Sequence, residues 1–247
     1  MLGDSFGISS CVNYPNDLTT KLIKKTNNKN ILNISAGGTG PFYQKEMMIA
    51  LFKKNNTKFN TFVWLFYEGN DHQDLNTNYG QSIDFTFKTN YNNSDIEVNY
   101  IPSSNVKFIK IKLFFSNYFR GFGTLAKYFK SYPKLLPYPV KYDDVVKHLN
   151  EFLIENGVKN KILFYIPKYT RLAYKDIKHP QLKQLNDLKN FVEITSLKYG
   201  FKFIDGSQLF HDKKKPLDVF HYKLPTHFNI KGYDLLAEHL SYHLMKK

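Results

Sequence analysis

The chain has 247 residues, 42% hydrophobic and 17% aromatic, and its 35 Lys+Arg against 21 Asp+Glu give a formal net charge of +14. Aromatic and branched residues recur from end to end, which excludes a largely disordered chain and supplies apolar surface for one large domain or two small ones. The single cysteine, Cys11, excludes an internal disulfide framework, and no window approaches the roughly 18 uninterrupted apolar residues of a membrane-spanning helix.

The first residues carry the most information. Met1 and Leu2 run straight into Gly3-Asp4-Ser5-Phe6-Gly7, a turn of the kind that follows a strand, so the chain reads as one whose first strand is cut short. Leu18 to Lys25 reads as a short amphipathic helix. Asn30 to Ser35 reads as a strand that ends in Ala36-Gly37-Gly38-Thr39-Gly40, and Pro41 suits the first turn of a helix reaching about Lys54. Thr61 to Tyr67 is continuously apolar, as expected of a strand covered on both faces, and it stops at Glu68-Gly69-Asn70-Asp71.

Leu75 to Asn105 is polar, Asn-rich and without clear period, and reads as a long surface insertion. Between Val106 and Tyr132 the residues Phe108, Ile111, Phe115, Tyr118, Phe122, Leu125 and Phe129 mark one stripe of a helix or helix pair. Further on, Asp143 to Asn156 reads as a helix, Lys161 to Ile166 as a strand, Gln181 to Tyr199 as a helix closed by Gly200, and Phe201 to Ile204 as a strand. A last helix begins near Ile230. Strands alternating with helices predict a three-layer α/β/α domain on a parallel sheet, a single unit over 1–247 with an insertion at about 75–140.

In open parallel sheets the ligand sits beyond the carboxyl ends of the strands. Ser5, Gly38 and Asn70 each follow a predicted strand, and His227 stands just before the last helix, where an imidazole can lean over the same edge. A serine hydroxyl needs a base to become a nucleophile, and histidine suits that task near neutrality. Backbone N–H groups of Ser5 and Gly38 and the Asn70 amide are the donors a developing oxyanion requires. Each residue also has a plainer reading: Ser5 as a turn or N-cap serine, the glycines as an ordinary strand-to-helix turn, Asn70-Asp71 as an Asx turn, His227 as a solvated side chain. Asp71, His72 and Asp74 have the spacing of a solvated loop rather than of a metal site, no Walker lysine follows the glycines, and no cofactor is called for. Gly3-Asp4-Ser5-Phe6-Gly7 also fits G-x-S-x-G, but that nucleophile elbow needs several strands in front of it.

Taken in order, the segments GDSF, NISAGGTG, EGND and HFNIKGY resemble the four blocks of the SGNH (GDSL-type) hydrolase superfamily over essentially the whole chain. LGDSF, FYEGND and HFNIKGY are most similar to bacterial branches found near exopolysaccharide chemistry. The resemblance implies a flavodoxin-like α/β/α fold, Ser5 and His227 as catalytic residues and an oxyanion hole of Ser5, Gly38 and Asn70. It also implies a carboxylic ester hydrolase working through an acyl-enzyme, with O-deacetylation or O-acetyl transfer on a glycan as the specific expectation. The alternatives are a lipolytic esterase or thioesterase, and a non-catalytic domain of the same fold binding an anionic polymer.

Three departures from the family pattern stand out. The positions where the triad acid usually lies, two or three before the histidine, hold Pro225 and Leu224, so a backbone carbonyl of that segment is the expected partner of His227, with Asp218 the alternative acid. Glu68 replaces the glycine usual two before Asn70. The strand before Ser5 is missing, and an extracytoplasmic location in a bacterium is expected if a native segment precedes it.

The positive charge names no partner by itself, since AT-rich coding sequence produces the same Lys- and Asn-rich composition. Its densest stretch, Asn99 to Tyr142, holds Lys107, Lys110, Lys112, Arg120, Lys127, Lys130, Lys134 and Lys141 and no acidic residue, and would suit an acidic glycan or a membrane surface. No nucleic-acid-binding signature accompanies it, which disfavours that partner.

Overall fold

The computed structural model describes residues 1–55, 58–76, 83–89, 96–102, 141–174, 179–211 and 214–246. Its centre is β1 (Thr61–Tyr67), whose five inner residues are all buried, so a strand without polar alternation is covered on both faces. β1 pairs in parallel with β4 (Asn160–Ile166), Trp64 opposite Leu163, and β4 pairs in parallel with β5 (Lys202–Asp205). On the other side of β1, Leu2 forms a parallel bridge to Trp64: its N–H donates to Val63 O (2.9 Å) and its carbonyl accepts from Leu65 N (2.7 Å).

Met1 to Gly3 thus occupies the first-strand position. The same residues bond outward to the segment expected as a second strand, Ile34 N to Met1 O (2.9 Å) and Ala36 N to Gly3 O (3.0 Å). That segment is extended but forms no regular strand. The Met1 amino group donates to Leu32 O, and burial brings its pKa from 8.0 down to about 5. The resulting order of segments is 32–36, 1–3, β1, β4, β5.

The two-residue period of the strands sorts the core into two halves. Phe62, Trp64, Phe66, Leu163 and Tyr165 face α2 (Pro41–Asn55), α3 (Tyr142–Glu155) and Val192 of α5 (Pro180–Lys198). Val63, Leu65, Ile162, Phe164 and Ile166 face α1 (Leu18–Thr26) and α7 (Ile230–Met245). The buried Trp64 indole still has a partner, Gln44 Oε1 at 2.6 Å. Asp17 caps α1 through Thr20 N (2.9 Å) and Asn229 caps α7 through Gly232 N (3.1 Å). Among the described residues no helix is long and apolar enough to cross a membrane.

The stretch expected as an irregular insertion contains an antiparallel hairpin, β2 (Ile83–Thr89) with β3 (Ile96–Pro102), where Ile83 pairs with Pro102 and Thr89 with Ile96. Ile83, Phe85 and Phe87 alternate with Asp84, Thr86 and Lys88, and Ile96, Val98 and Tyr100 with Glu97 and Asn99, a strand period that the Asn-rich stretch around it masks. The aromatic stripe of 106–132 lies outside the described residues, as do the basic positions of that region apart from Lys141. Two short helices also had no forecast, α4 (Tyr169–Ala173) and α6 (Gln208–His211).

Candidate active site

The turn after Met1 to Gly3 is held by Asp4. Its carboxylate accepts from Phe6 N (2.8 Å), and its carbonyl accepts from Gly7 N (3.1 Å) and Ile8 N (3.3 Å). Gly7 is demanded by close approach, since a Cβ there would fall 2.2 Å from Ser35 Oγ. The turn lifts Ser5 to the carboxyl edge of the sheet. His227 arrives at the same edge from the loop before α7, where Asn229 Nδ2 donates to Asp218 O (2.8 Å) and Phe220 O (3.0 Å).

Ser5 Oγ and His227 Nε2 are 2.7 Å apart. The Phe6 ring lies 4.8 Å from the imidazole and 3.9 Å from Tyr67, so aromatic packing holds the histidine in place. Burial first, and then the neighbouring His221, lower the His227 pKa below 6.5, which leaves the ring neutral near pH 7 and able to accept a proton. Ser5 Oγ has a second acceptor, Asp4 Oδ2 at 3.3 Å, but the shorter contact is to the imidazole.

The other ring nitrogen is a different matter. Among the described residues His227 Nδ1 has no hydrogen-bond partner. The carbonyl expected from 224–225 does not reach it: Leu224 O accepts from Thr226 N at 2.7 Å, and neither Leu224 O nor Pro225 O bonds to His227. Asp218 makes an ion pair with Lys223 (3.2 Å) and no bond to His227. The site is therefore a Ser–His pair without a third member among the described residues.

Gly38 is exposed in the turn after 32–36 with φ +73°, a left-handed conformation that favours glycine. The adjoining Gly37 sets this turn against the serine, with a Cβ at 37 falling 3.8 Å from Ser5 Cβ. The backbone N–H groups of Ser5 and Gly38 are both free of protein acceptors among the described residues. Asn70 follows β1 at the same edge. Its Nδ2 donates to Asp74 Oδ2 at 2.6 Å, while its Oδ1 is buried without a partner among the described residues.

Three carboxylates cluster beneath these groups. Asp4 is fully buried and its pKa rises from 3.8 to about 6, mainly through burial, opposed by its hydrogen bonds and assisted by Asp74. Asp71 is buried too. Its Oδ2 accepts from Tyr67 N (2.8 Å), its Oδ1 has no partner among the described residues, and burial with the charge of Asp4 raises its pKa well above 3.8. Asp71, His72 and Asp74 do not converge on a metal: Asp71 closes the turn, His72 is exposed, and the described residues hold no group of metal-ligating side chains.

Glu68, the departure from the glycine usual at that position, explains itself in three dimensions. Its carboxylate accepts from Tyr165 OH (2.8 Å), Lys168 N (2.9 Å) and Arg171, whose Nε lies 2.9 and 3.0 Å from the two oxygens. Sequence reading missed this pair because 103 residues separate its members.

No family model matches the chain, and no curated protein sequence matches it significantly. A solved structure from Desulfitobacterium hafniense DCB-2, described as a lipolytic protein candidate of the G-D-S-L family, aligns with a TM-score of 0.51 over 98% of this chain and 95% of its own, at 11% sequence identity. The fold is therefore a mixed α/β architecture of the GDSL/SGNH kind.

Proposed function

We propose that the chain is a serine-dependent carboxylic ester hydrolase that works through an acyl-enzyme, with an O-acetylated glycan as substrate. The observation that carries the reading is the 2.7 Å contact of Ser5 Oγ with a neutral His227 Nε2, beside the Ser5 and Gly38 N–H groups, which have no acceptor among the described residues. His227 takes the hydroxyl proton as Ser5 attacks the ester carbonyl. The N–H groups of Ser5 and Gly38 and the free N–H of Asn70 receive the oxyanion. His227 then delivers the proton to the departing sugar oxygen, which leaves as a hydroxyl, and water, or an acceptor hydroxyl in a transferase, releases the acetyl group by the reverse sequence.

The glycan rests on the likeness of LGDSF, FYEGND and HFNIKGY to exopolysaccharide-associated branches. A lipolytic substrate is the second reading, favoured by the description of the Desulfitobacterium protein. A p-nitrophenyl ester series from acetyl to octanoyl, with Ser5→Ala as control, tests both. Activity confined to the shortest esters and lost in Ser5→Ala supports the glycan deacetylase, a preference for long acyl chains supports the lipolytic reading, and activity retained in Ser5→Ala overturns the mechanism.

A further inference from the structure

We propose that Asp74 is a positioning residue that fixes which end of the Asn70 amide faces the developing oxyanion. The inference rests on the oxyanion reading above and adds a residue to it.

The two ends of an asparagine amide are alike in shape and opposite in hydrogen-bonding character. Presented to an oxyanion, Nδ2 stabilises and Oδ1 repels, so a useful amide must be prevented from turning over. Among the described residues the Asn70 side chain has one hydrogen-bond partner, the Asp74 carboxylate at 2.6 Å, while Asn70 Oδ1 is buried and unpartnered. An ionised carboxylate only accepts. Were the amide reversed, Oδ1 would meet Asp74 Oδ2 with lone pair against lone pair, and Nδ2 would enter a place where none of the described residues offers a hydrogen bond. The bond also uses one of the two Nδ2 hydrogens and leaves the other for the substrate.

Asp74 can impose this orientation because it is itself held. Its N–H donates to Asn70 O at 2.7 Å, closing the turn, and Asp71 N donates to Tyr67 O at 3.2 Å just before it. Gly40, at the start of α2, packs so closely that a Cβ there would fall 2.2 Å from Asp74 O. The asparagine turn and the end of the glycine turn are thus in direct contact. The Asp74 charge acts against an oxyanion, so its benefit lies in orientation, and its loss costs less than loss of the amide itself.

The test is a double-mutant cycle on p-nitrophenyl acetate, with circular dichroism confirming the fold. Asn70→Ala should lower kcat by about 10²- to 10³-fold. Asp74→Ala should lower kcat by about tenfold with KM within about twofold, and should have no further effect in an Asn70→Ala background, which a purely structural role would not produce. Asp74→Asn, nearly isosteric, carries the same test if Asp74→Ala does not fold: it should lose kcat in the native background and none beside Asn70→Ala. Equal losses in both backgrounds, or no loss in the native one, would overturn the role of Asp74 while leaving the oxyanion reading standing. An unchanged kcat in Asn70→Ala would overturn both.

Discussion

Glu68 and Arg171 meet at the end of β1 as an enclosed ion pair, the glutamate side chain without solvent exposure and the arginine 7% exposed. The pair joins β1 to α4 directly behind Asn70. Removing one member of such a pair leaves an uncompensated charge, so Arg171→Met should cost about 3–5 kcal/mol. The double variant Glu68→Leu/Arg171→Met should be more stable than Arg171→Met alone. Urea unfolding of the variants checks this, and a single variant as stable as the native protein would contradict it.

His227 is held below its usual pKa by burial and by His221, so its imidazole stays deprotonated to a lower pH than a free one. The acid limb of kcat/KM should lie below pH 6.5. His221→Gln removes the second cause only, and should move that limb upward without bringing it to 6.5. A pH–rate profile on p-nitrophenyl acetate decides, and an unmoved limb would show that His221 is electrically silent toward the base.

Asp4 titrates near 6 in the folded chain against 3.8 when unfolded. Between about pH 4 and pH 6 the folded state binds more protons, so this group's contribution to stability falls as pH rises and stays lost above about pH 6. Asp4→Asn cannot ionise and keeps an acceptor for Phe6 N. Relative to the native chain it should gain of order 1–3 kcal/mol on going from pH 4.5 to pH 7.5, by the same linkage. Parallel urea titrations at the two pH values measure the difference, and an identical pH dependence in both proteins would sink it.

Asp218 is engaged with Lys223 rather than with His227. Asp218→Asn should therefore reduce kcat by less than about tenfold, whereas loss of a working triad acid costs on the order of 10⁴-fold. A loss of that size in a folded variant would mean that Asp218 swings to Nδ1 during turnover.

Local pattern and spacing carried much of this structure. Thr61 to Tyr67 was readable as a doubly covered strand because it lacks any polar alternation, and Pro41 and Asp17 mark helix starts by their own chemistry. The four segments that gather at the sheet edge were visible because each sits where a strand stops or a helix begins. What stayed hidden depends on approach across the fold. Neither Glu68 with Arg171 nor Gly40 with Asp74 has a local signal, since a buried pair or a missing Cβ acquires meaning only when distant chain packs against it. The carbonyl expected to orient His227 belongs to the same class: where a loop carbonyl points is set by how the loop folds back on itself, and Leu224 O turns to Thr226 N.

The sorting of side chains by the faces of β1 also divides the machinery mechanically. Phe6 and Phe228, next to Ser5 and His227, are rooted in the core shared with α1 and α7, whereas Ile34 and Leu75, beside the glycine and asparagine turns, are rooted in the core shared with α2 and α3. Damage to the two cores should then be distinguishable in kinetics. A cavity cut under α7, as by Leu236→Ala, would loosen serine activation and shift the pH profile. One cut under α2, as by Met47→Ala, would spare the profile and slow only the step that develops negative charge on oxygen.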